Sequence, residues 1–400
     1  MKQKSQRNTN LEILRIISMF LIISHHFAVH GMKGLEFIAS NPNTYVVYFF
    51  GILVKIGVVV FILISAYFMI NSTFTFRKLL VLGGEVYFYS LLFLGLVVQL
   101  TYLSDPLTIA DWGVHLLPIS HSAYWFVTGY IVLMVLSPFL NKFLKSLSKE
   151  TYIKLIVVVM VMWSIFPTFT PIFMIGPIAN NFIGSSFQYV PLIWFVVIYI
   201  IGSFIRLHVD LDKISYKTLI ATFSVGMIIT YAISCIVGYL DIVHTQSSSL
   251  HMIFGLPLEA VYYDTLYLWP ALENKLFLFV ASVALFLIFL KREEFSNKYL
   301  NYIAGSALGV YLIHDNLLIR AYIWQNILGP ISYYNSPYLF FIAIAMLIVV
   351  YVVCTGLDII RRETIEKVWI WIVDNKLIGV SNWFERKYKS FENYLGNYLK

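Results

Sequence analysis

The chain reads as an all-α, polytopic integral membrane protein with about ten transmembrane helices and both termini in the cytoplasm. Three observations predict this. Of 400 residues, 60% are apolar and only 12% are charged, where a soluble domain carries about 25% charged residues. Mean hydropathy is +0.79. Apolar runs long enough to span a bilayer, about 17–25 residues each, recur along almost the whole length. The 17% aromatic content, with 28 Tyr and 9 Trp, suits several interfacial belts.

The runs fall near 11–30, 50–71, 79–103, 123–141, 153–173, 187–206, 217–240, 274–290, 301–320 and 338–360. The eighth is short, and the ninth contains the polar sequence YLIHDN. Loop charge fixes the expected direction. With the N-terminus inside, seventeen Lys and Arg fall in the inner segments, from Lys2, Lys4 and Arg7 to Arg361 and Arg362. Only Lys33, Lys275 and Arg320 fall outside, with Lys55 snorkelling near the outer face. An odd number of spans would scramble that asymmetry. The net charge of +7 is therefore topology rather than a nucleic-acid surface, since no basic face or RNA-binding motif accompanies it.

The first run lacks a small-residue cleavage site and carries Arg15, so it reads as a retained helix rather than a cleaved signal. Cys235 and Cys354 both lie in apolar runs, giving neither a disulfide framework nor a metal spacing. Two regions follow: residues 1–362 as the ten-helix domain, and 363–400 as an amphipathic cytoplasmic tail on the inner leaflet. No internal repeat is visible. The longest outer loop, 241–273, is rich in Tyr, Ser and His and is a candidate lining of an external cleft.

The chemistry concentrates in the first helix, LRIISMFLIISHHF at 14–27. A charged residue in a membrane segment costs roughly 2.5–3.5 kcal/mol on insertion scales, so an intramembrane ionisable group is a functional candidate. At about 100° per residue, Arg15 and His26 differ by only about 20° in phase and lie about 16 Å apart along the axis. They share a face; His25 points about 80° away, and His30 lies one turn beyond His26. The alternative is that Arg15 snorkels to headgroups and His26 bonds a neighbouring helix. Glu85 in the third helix, and His314, Asp315 and Asn316 in the ninth, add further intramembrane polar groups and point to a shared polar cavity.

These stretches carry a resemblance. LRIISMFLIISHHF resembles the arginine–ten residues–histidine signature of the membrane acyltransferase-3 family. VVVFILISAYFMI at 58–70 is similar to that family's Phe-x-x-Ser-Gly-Tyr/Phe segment, with Ala66 in place of glycine. YWFVTGYIVLMVLSPFLN at 124–141 and GVYLIHDNLLIR at 309–320 resemble segments of its surface-polysaccharide branch. Four matches in family order span most of the chain.

The resemblance implies O-acyl transfer, with acetyl as the expected group, from cytoplasmic acyl-CoA to a hydroxyl of an extracytoplasmic surface polysaccharide or lipid-linked glycan. It implies a multi-pass protein of the bacterial plasma membrane. The partners are acyl-CoA (acetyl-CoA as the expected donor), the glycan and membrane lipids, with no nucleic acid, bound cofactor or metal. His26 is the expected general base, because imidazole takes a hydroxyl proton near neutral pH. Arg15 suits either the anionic donor or the developing oxyanion.

Arg77 and Lys78 are candidate donor-phosphate contacts, or ordinary inner-face basic residues. Trp125, Phe126 and Tyr130 are belt aromatics, or stack on the acceptor sugar. Ser65 and Tyr67 offer hydroxyls to the cavity, or ease helix packing. His25 is a further cavity residue, and Glu85 orients or charge-balances His26 or Arg15. Adjacent residues on a helix diverge by about 100°, which favours substrate positioning or helix pairing for His314, Asp315, Asn316 and Arg320 over a triad. Asn316 and Arg320, one turn apart, are expected on one side. A transporter or flippase for a lipid-linked glycan is the competing reading, although inverted repeats and paired broken helices are not evident. A glycan polymerase is a third, with 241–273 as its one large outer loop.

Overall fold

The computed structural model describes residues 7–100, 107–173, 190–243, 267–268 and 270–398, and among these there is no β-strand. Helix α1 (Thr9–His26) begins where Asn8 accepts the Asn10 N–H, and continues through one π-helical stretch, Phe27–Gly31. The chain returns through α2 (Pro42–Ile52), which starts on proline as the first helical turn permits, and α3 (Val54–Met69), joined at Leu53. Next come α4 (Phe76–Leu100), the short α5 (Ile109–Leu116) closed by a Thr108–Asp111 capping box, and α6 (Trp125–Ser146). Helices α7 (Lys149–Met160) and α8 (Phe166–Phe173) are linked by a second π stretch, followed by α9 (Pro191–His208) and α10 (Tyr216–Val243). The C-terminal third holds α11 (Leu276–Leu290), α12 (Lys298–Ala304), α13 (Ala307–His314), α14 (Leu339–Glu363), α15 (Ile365–Asn375) and α16 (Ile378–Tyr398).

Among the described residues, eight helical stretches are long and apolar enough to cross a membrane. These correspond to all the expected spans but the eighth and ninth. The eighth is α11, apolar throughout but only 15 residues long. The expectation of one continuous ninth helix over 301–320 is corrected: α12 and α13 are separate, and α13 ends at His314. Side-chain hydrogen bonds meet both interruptions. Arg362 of α14 donates to Tyr302 O (2.7 Å) and Ser306 Oγ (3.0 Å), satisfying polar groups at the first break. At the second, Asn316 Oδ1 accepts the Leu318 N–H at 3.0 Å, an Asx turn that replaces a further helical turn.

Helix α3 lies at the centre. Val59, Val60, Ile62, Leu63, Ile64 and Ala66 are all fully buried, as expected of so apolar a run. It packs on α1, α9 and α11, and two glycines set the separation. A Cβ on Gly57 would stand 2.5 Å from Ser18 O of α1, and one on Gly202 of α9 would stand 2.7 Å from the Ala66 Cβ. The small residue that the family segment places at 66 thus keeps a close helix approach as alanine, because its partner is glycine. Around this centre, α10 and α14 turn Val225, Ile228, Val352 and Val353 outward, more than half exposed. Such a surface suits acyl chains and would be a liability in water.

The tail expected as a separate amphipathic segment is helical and docks on the bundle. Trp369 Nε1 donates to Leu80 O (2.9 Å), Phe384 stacks on Phe76 (4.6 Å), and Tyr388 Oη donates to Val135 O (2.7 Å). Trp371 and Phe391 face outward. Most of the candidate cleft loop, 244–266, lies outside the described residues.

Candidate active site

A cavity of about 550 Å³ runs along one face of α1, walled by α3, α4, α6, α12 and α13. Arg7, Glu12 and Arg15 line it toward the N-terminal end of α1, and His25, His26, Lys55 and Trp125 line it toward the other. Arg15 and His26 therefore open on one space. His25 opens there too, although helix phase turns it away. The two imidazole centroids are 5.8 Å apart, so a wide cavity borders both.

His26 is held by the broken helix. Its Nδ1 lies 2.8 Å from His314 Nε2, and His314 Nδ1 lies 2.5 Å from Val310 O. A carbonyl only accepts, so His314 carries its proton on Nδ1. Neutral His314 then accepts at Nε2, and His26 must donate from Nδ1. That chain leaves His26 Nε2 as the nitrogen with a free lone pair. Facing it at 3.8 Å is Asp315 Oδ1, which also lies 3.5 Å from His30 Nε2 and 3.3 Å from Arg320 Nη1. His25 donates from Nδ1 to Gly51 O at 2.9 Å, the same tautomer by the same reasoning.

Convergence of His314 and Asp315 on His26 corrects the expectation that neighbours must diverge. Asp315 is the C-cap of α13, with φ −108° and ψ 11°, so helical phase ends before it. Asn316 and Arg320, expected to act on one side, reach different partners. Asn316 Nδ2 donates to Tyr124 Oη at 2.6 Å, whereas Arg320 reaches Asp315. His26, His30 and Asp315 bring three ligand atoms within 4.8 Å of one another, the group among the described residues able to hold a metal ion.

At the other end, Arg15 Nη1 donates to Glu12 Oε1 at 2.8 Å, one turn nearer the N-terminus. The guanidinium thus points away from His26. Glu85 lines the cavity, but its partner is neither Arg15 nor His26. It meets buried Arg361 at 3.0 Å, in a network where Arg361 also binds Asp358 (2.8 Å) and Glu366 (3.1 Å), and Tyr89 Oη donates to Asp358 (2.8 Å). Sequence reading took Arg361 only as a topology charge. Its signal was Glu85, an acid inside an apolar run, together with Asp358 three residues before Arg361 in another.

Phe126 and Tyr130 line the cavity in parallel, with centroids 6.3 Å apart, beside Trp125. Ser65 lines it, its Oγ donating back to Phe61 O at 2.8 Å. Tyr67 does not. Its hydroxyl accepts from Arg206 Nη1 at 2.7 Å, and that guanidinium sits 4.7 Å over its ring. Arg77 and Lys78 also lie outside the lining. Arg77 makes a bidentate pair with Asp374 of the tail (2.6 and 2.8 Å), holding that carboxyl below the usual carboxylate range, and Lys78 donates to Thr73 O at 3.1 Å.

Lys55, read from sequence as a snorkelling residue, is instead part of the cavity wall. It pairs at 2.6 Å with Glu273, whose side chain is fully buried. The signal available was a lone lysine near the start of an otherwise apolar run, but its acid lies 218 residues away.

Comparison with known proteins places the architecture. No curated protein and no solved structure matches the chain significantly. Residues 8–355 match the acyltransferase-3 family model, described as an acyltransferase domain. The match begins at the cap of α1 and ends within α14, so it takes in every residue that lines the His26 cavity except Arg7. The chain is a multi-pass membrane protein of the acyltransferase-3 family.

Proposed function

We propose that this acyltransferase moves an acyl group, acetyl in the simplest case, from acyl-CoA to a hydroxyl of a cell-surface glycan, across the bacterial plasma membrane. The observation that carries the reading is one cavity with arginines at one end and a histidine of defined tautomer at the other. The basic-residue asymmetry of the loops supports a cytoplasmic arginine end, where acyl-CoA is available. Arg15 and Arg7 then meet the anionic donor, and its thioester extends toward His26. The glycan hydroxyl enters beside Trp125 and Phe126, whose faces suit a pyranose ring.

Each protein group has a defined task. His26 Nε2 takes the hydroxyl proton as the oxygen attacks the thioester carbonyl. The imidazolium that forms is stabilised by Asp315, 3.8 Å away. His314 fixes the tautomer through its bond to His26 Nδ1. The proton then passes to the departing CoA sulfur, and ester and free CoA result. Arg15 serves the donor rather than the reacting carbonyl, because both side chains lean toward the helix N-terminus and remain about 16 Å apart along the axis.

Purified protein given radiolabelled acetyl-CoA and surface polysaccharide from the producing cells tests this. Wild type transfers label to alkali-labile esters on the glycan. His26→Ala loses about 10²–10⁴-fold in rate, the usual contribution of a general base. Absence of transfer by folded wild type, or an active His26→Ala with an inactive His25→Ala, would overturn the assignment.

A further inference from the structure

An acyl transfer at His26 generates negative charge on the thioester oxygen, and a donor must stand within hydrogen-bonding distance of it. Three cations line the cavity: Arg7, Arg15 and Lys55. The two arginines lie on or before the first turns of α1, and Arg15 is turned toward Glu12. Arg320 is near the histidine end, but it is directed to Asp315 and does not line the cavity. Lys55 remains.

Its height in the membrane follows from contacts on either side of it in sequence. Two residues later, Gly57 rests on Ser18 and Ile22 of α1. Four residues earlier, the Gly51 carbonyl accepts the His25 proton. Lys55 is therefore level with the last turns of α1, where the two histidines open, and its Nζ lies 5.9 Å from the centre of the Trp125 ring. An ammonium has three protons. Glu273 takes one of them at 2.6 Å from a fully buried position, which anchors Nζ and leaves donors for the cavity. The second Glu273 oxygen, Oε2, accepts no bond among the described residues, so the carboxylate is committed to Lys55.

We propose that Lys55 is a catalytic residue that donates to the oxyanion of the tetrahedral intermediate, with Glu273 as the positioning residue that holds its ammonium at the cavity wall. This rests on the acyl-transfer reading above. As the glycan oxygen bonds to the thioester carbon and its proton moves to His26, the C=O π electrons move onto oxygen and are met by the Lys55 N–H. Collapse restores C=O, breaks the C–S bond and sends the electron pair to sulfur, which takes the proton from His26. Lys55 keeps its protons throughout. The pairing also divides the histidines, since an imidazolium at His25 would form beside the Lys55 ammonium, whereas one at His26 forms beside Asp315.

The test measures initial rates with acetyl-CoA and surface polysaccharide for wild type, Lys55→Arg, Lys55→Met, Glu273→Gln and the double variant Lys55→Met/Glu273→Gln. The double variant leaves no unpaired buried carboxylate and so separates chemistry from folding; monodispersity and thermal unfolding in detergent confirm the comparison. Loss of an oxyanion donor predicts a kcat lower by about 10²–10³-fold in both Met variants, with KM for either substrate changed less than about threefold. Lys55→Arg recovers part of the rate, and Glu273→Gln alone lowers kcat by less than Lys55→Met. A folded double variant with kcat near wild type, or one whose loss lies wholly in KM, overturns the role of Lys55. Failure of wild type itself to transfer the acyl group would instead overturn the acyl-transfer reading, so the two failures are distinguishable.

Discussion

The general-base role proposed for His26 draws on three neighbours. His314 sets the tautomer through Nδ1, Asp315 faces Nε2, and His30 shares the same Asp315 oxygen. Two charges about 4 Å apart interact by about 4 kcal/mol at an effective dielectric of 20. Removing the acid while keeping its shape should therefore weaken the imidazolium-forming step. Asp315→Asn is expected to lower kcat by about 10²-fold, with little change in donor KM, in the same radiolabel assay; an unchanged kcat would show that Asp315 does not act on His26. Arg15, His26 and Glu85 could be singled out from sequence, because a charge or imidazole in an apolar run needs a reason. Their partners were less legible. Arg15 has a local one, Glu12, but Glu85 meets Arg361 and Lys55 meets Glu273, from segments far along the chain. No spacing rule reaches that far.

Helix α3 is the element on which the site is mounted. The burial of its core positions within 59–66 follows from its apolar composition, and the contacts of Gly57 on Ser18 O and of Gly202 on Ala66 are too close for an added side chain. Gly202→Leu should separate α9 from α3 and destabilise the fold by about 1–3 kcal/mol, read as a lower unfolding temperature in detergent; a variant as stable as wild type would show that the gap can expand freely. Most helices were legible, because an apolar run of bilayer length has few other solutions. The break in the ninth run was not. Its freed polar groups are satisfied by Arg362 and by the Asn316 side chain, so the polar sequence YLIHDN reads as a weak helix until its partners are known. That break is what lets His314 and Asp315 both reach His26.

Across the whole molecule, the cavity joins an arginine end to a histidine end through the apolar bundle. Around it lie the apolar outward faces of α10 and α14, the central α3 and the docked tail. The asymmetry of loop charge is the basis for the proposed direction, in which the arginine end and both termini face the cytoplasm. The central claim is that donor and acceptor meet at His26 from opposite faces. Proteoliposomes in which a protease-accessible terminal tag reports orientation allow each substrate, both membrane-impermeant, to be supplied to one face. The account predicts labelled glycan only when acetyl-CoA is on the face bearing the termini and polysaccharide on the other, and none with His26→Ala. Transfer that requires both substrates on the same face, or that survives His26→Ala, would contradict it.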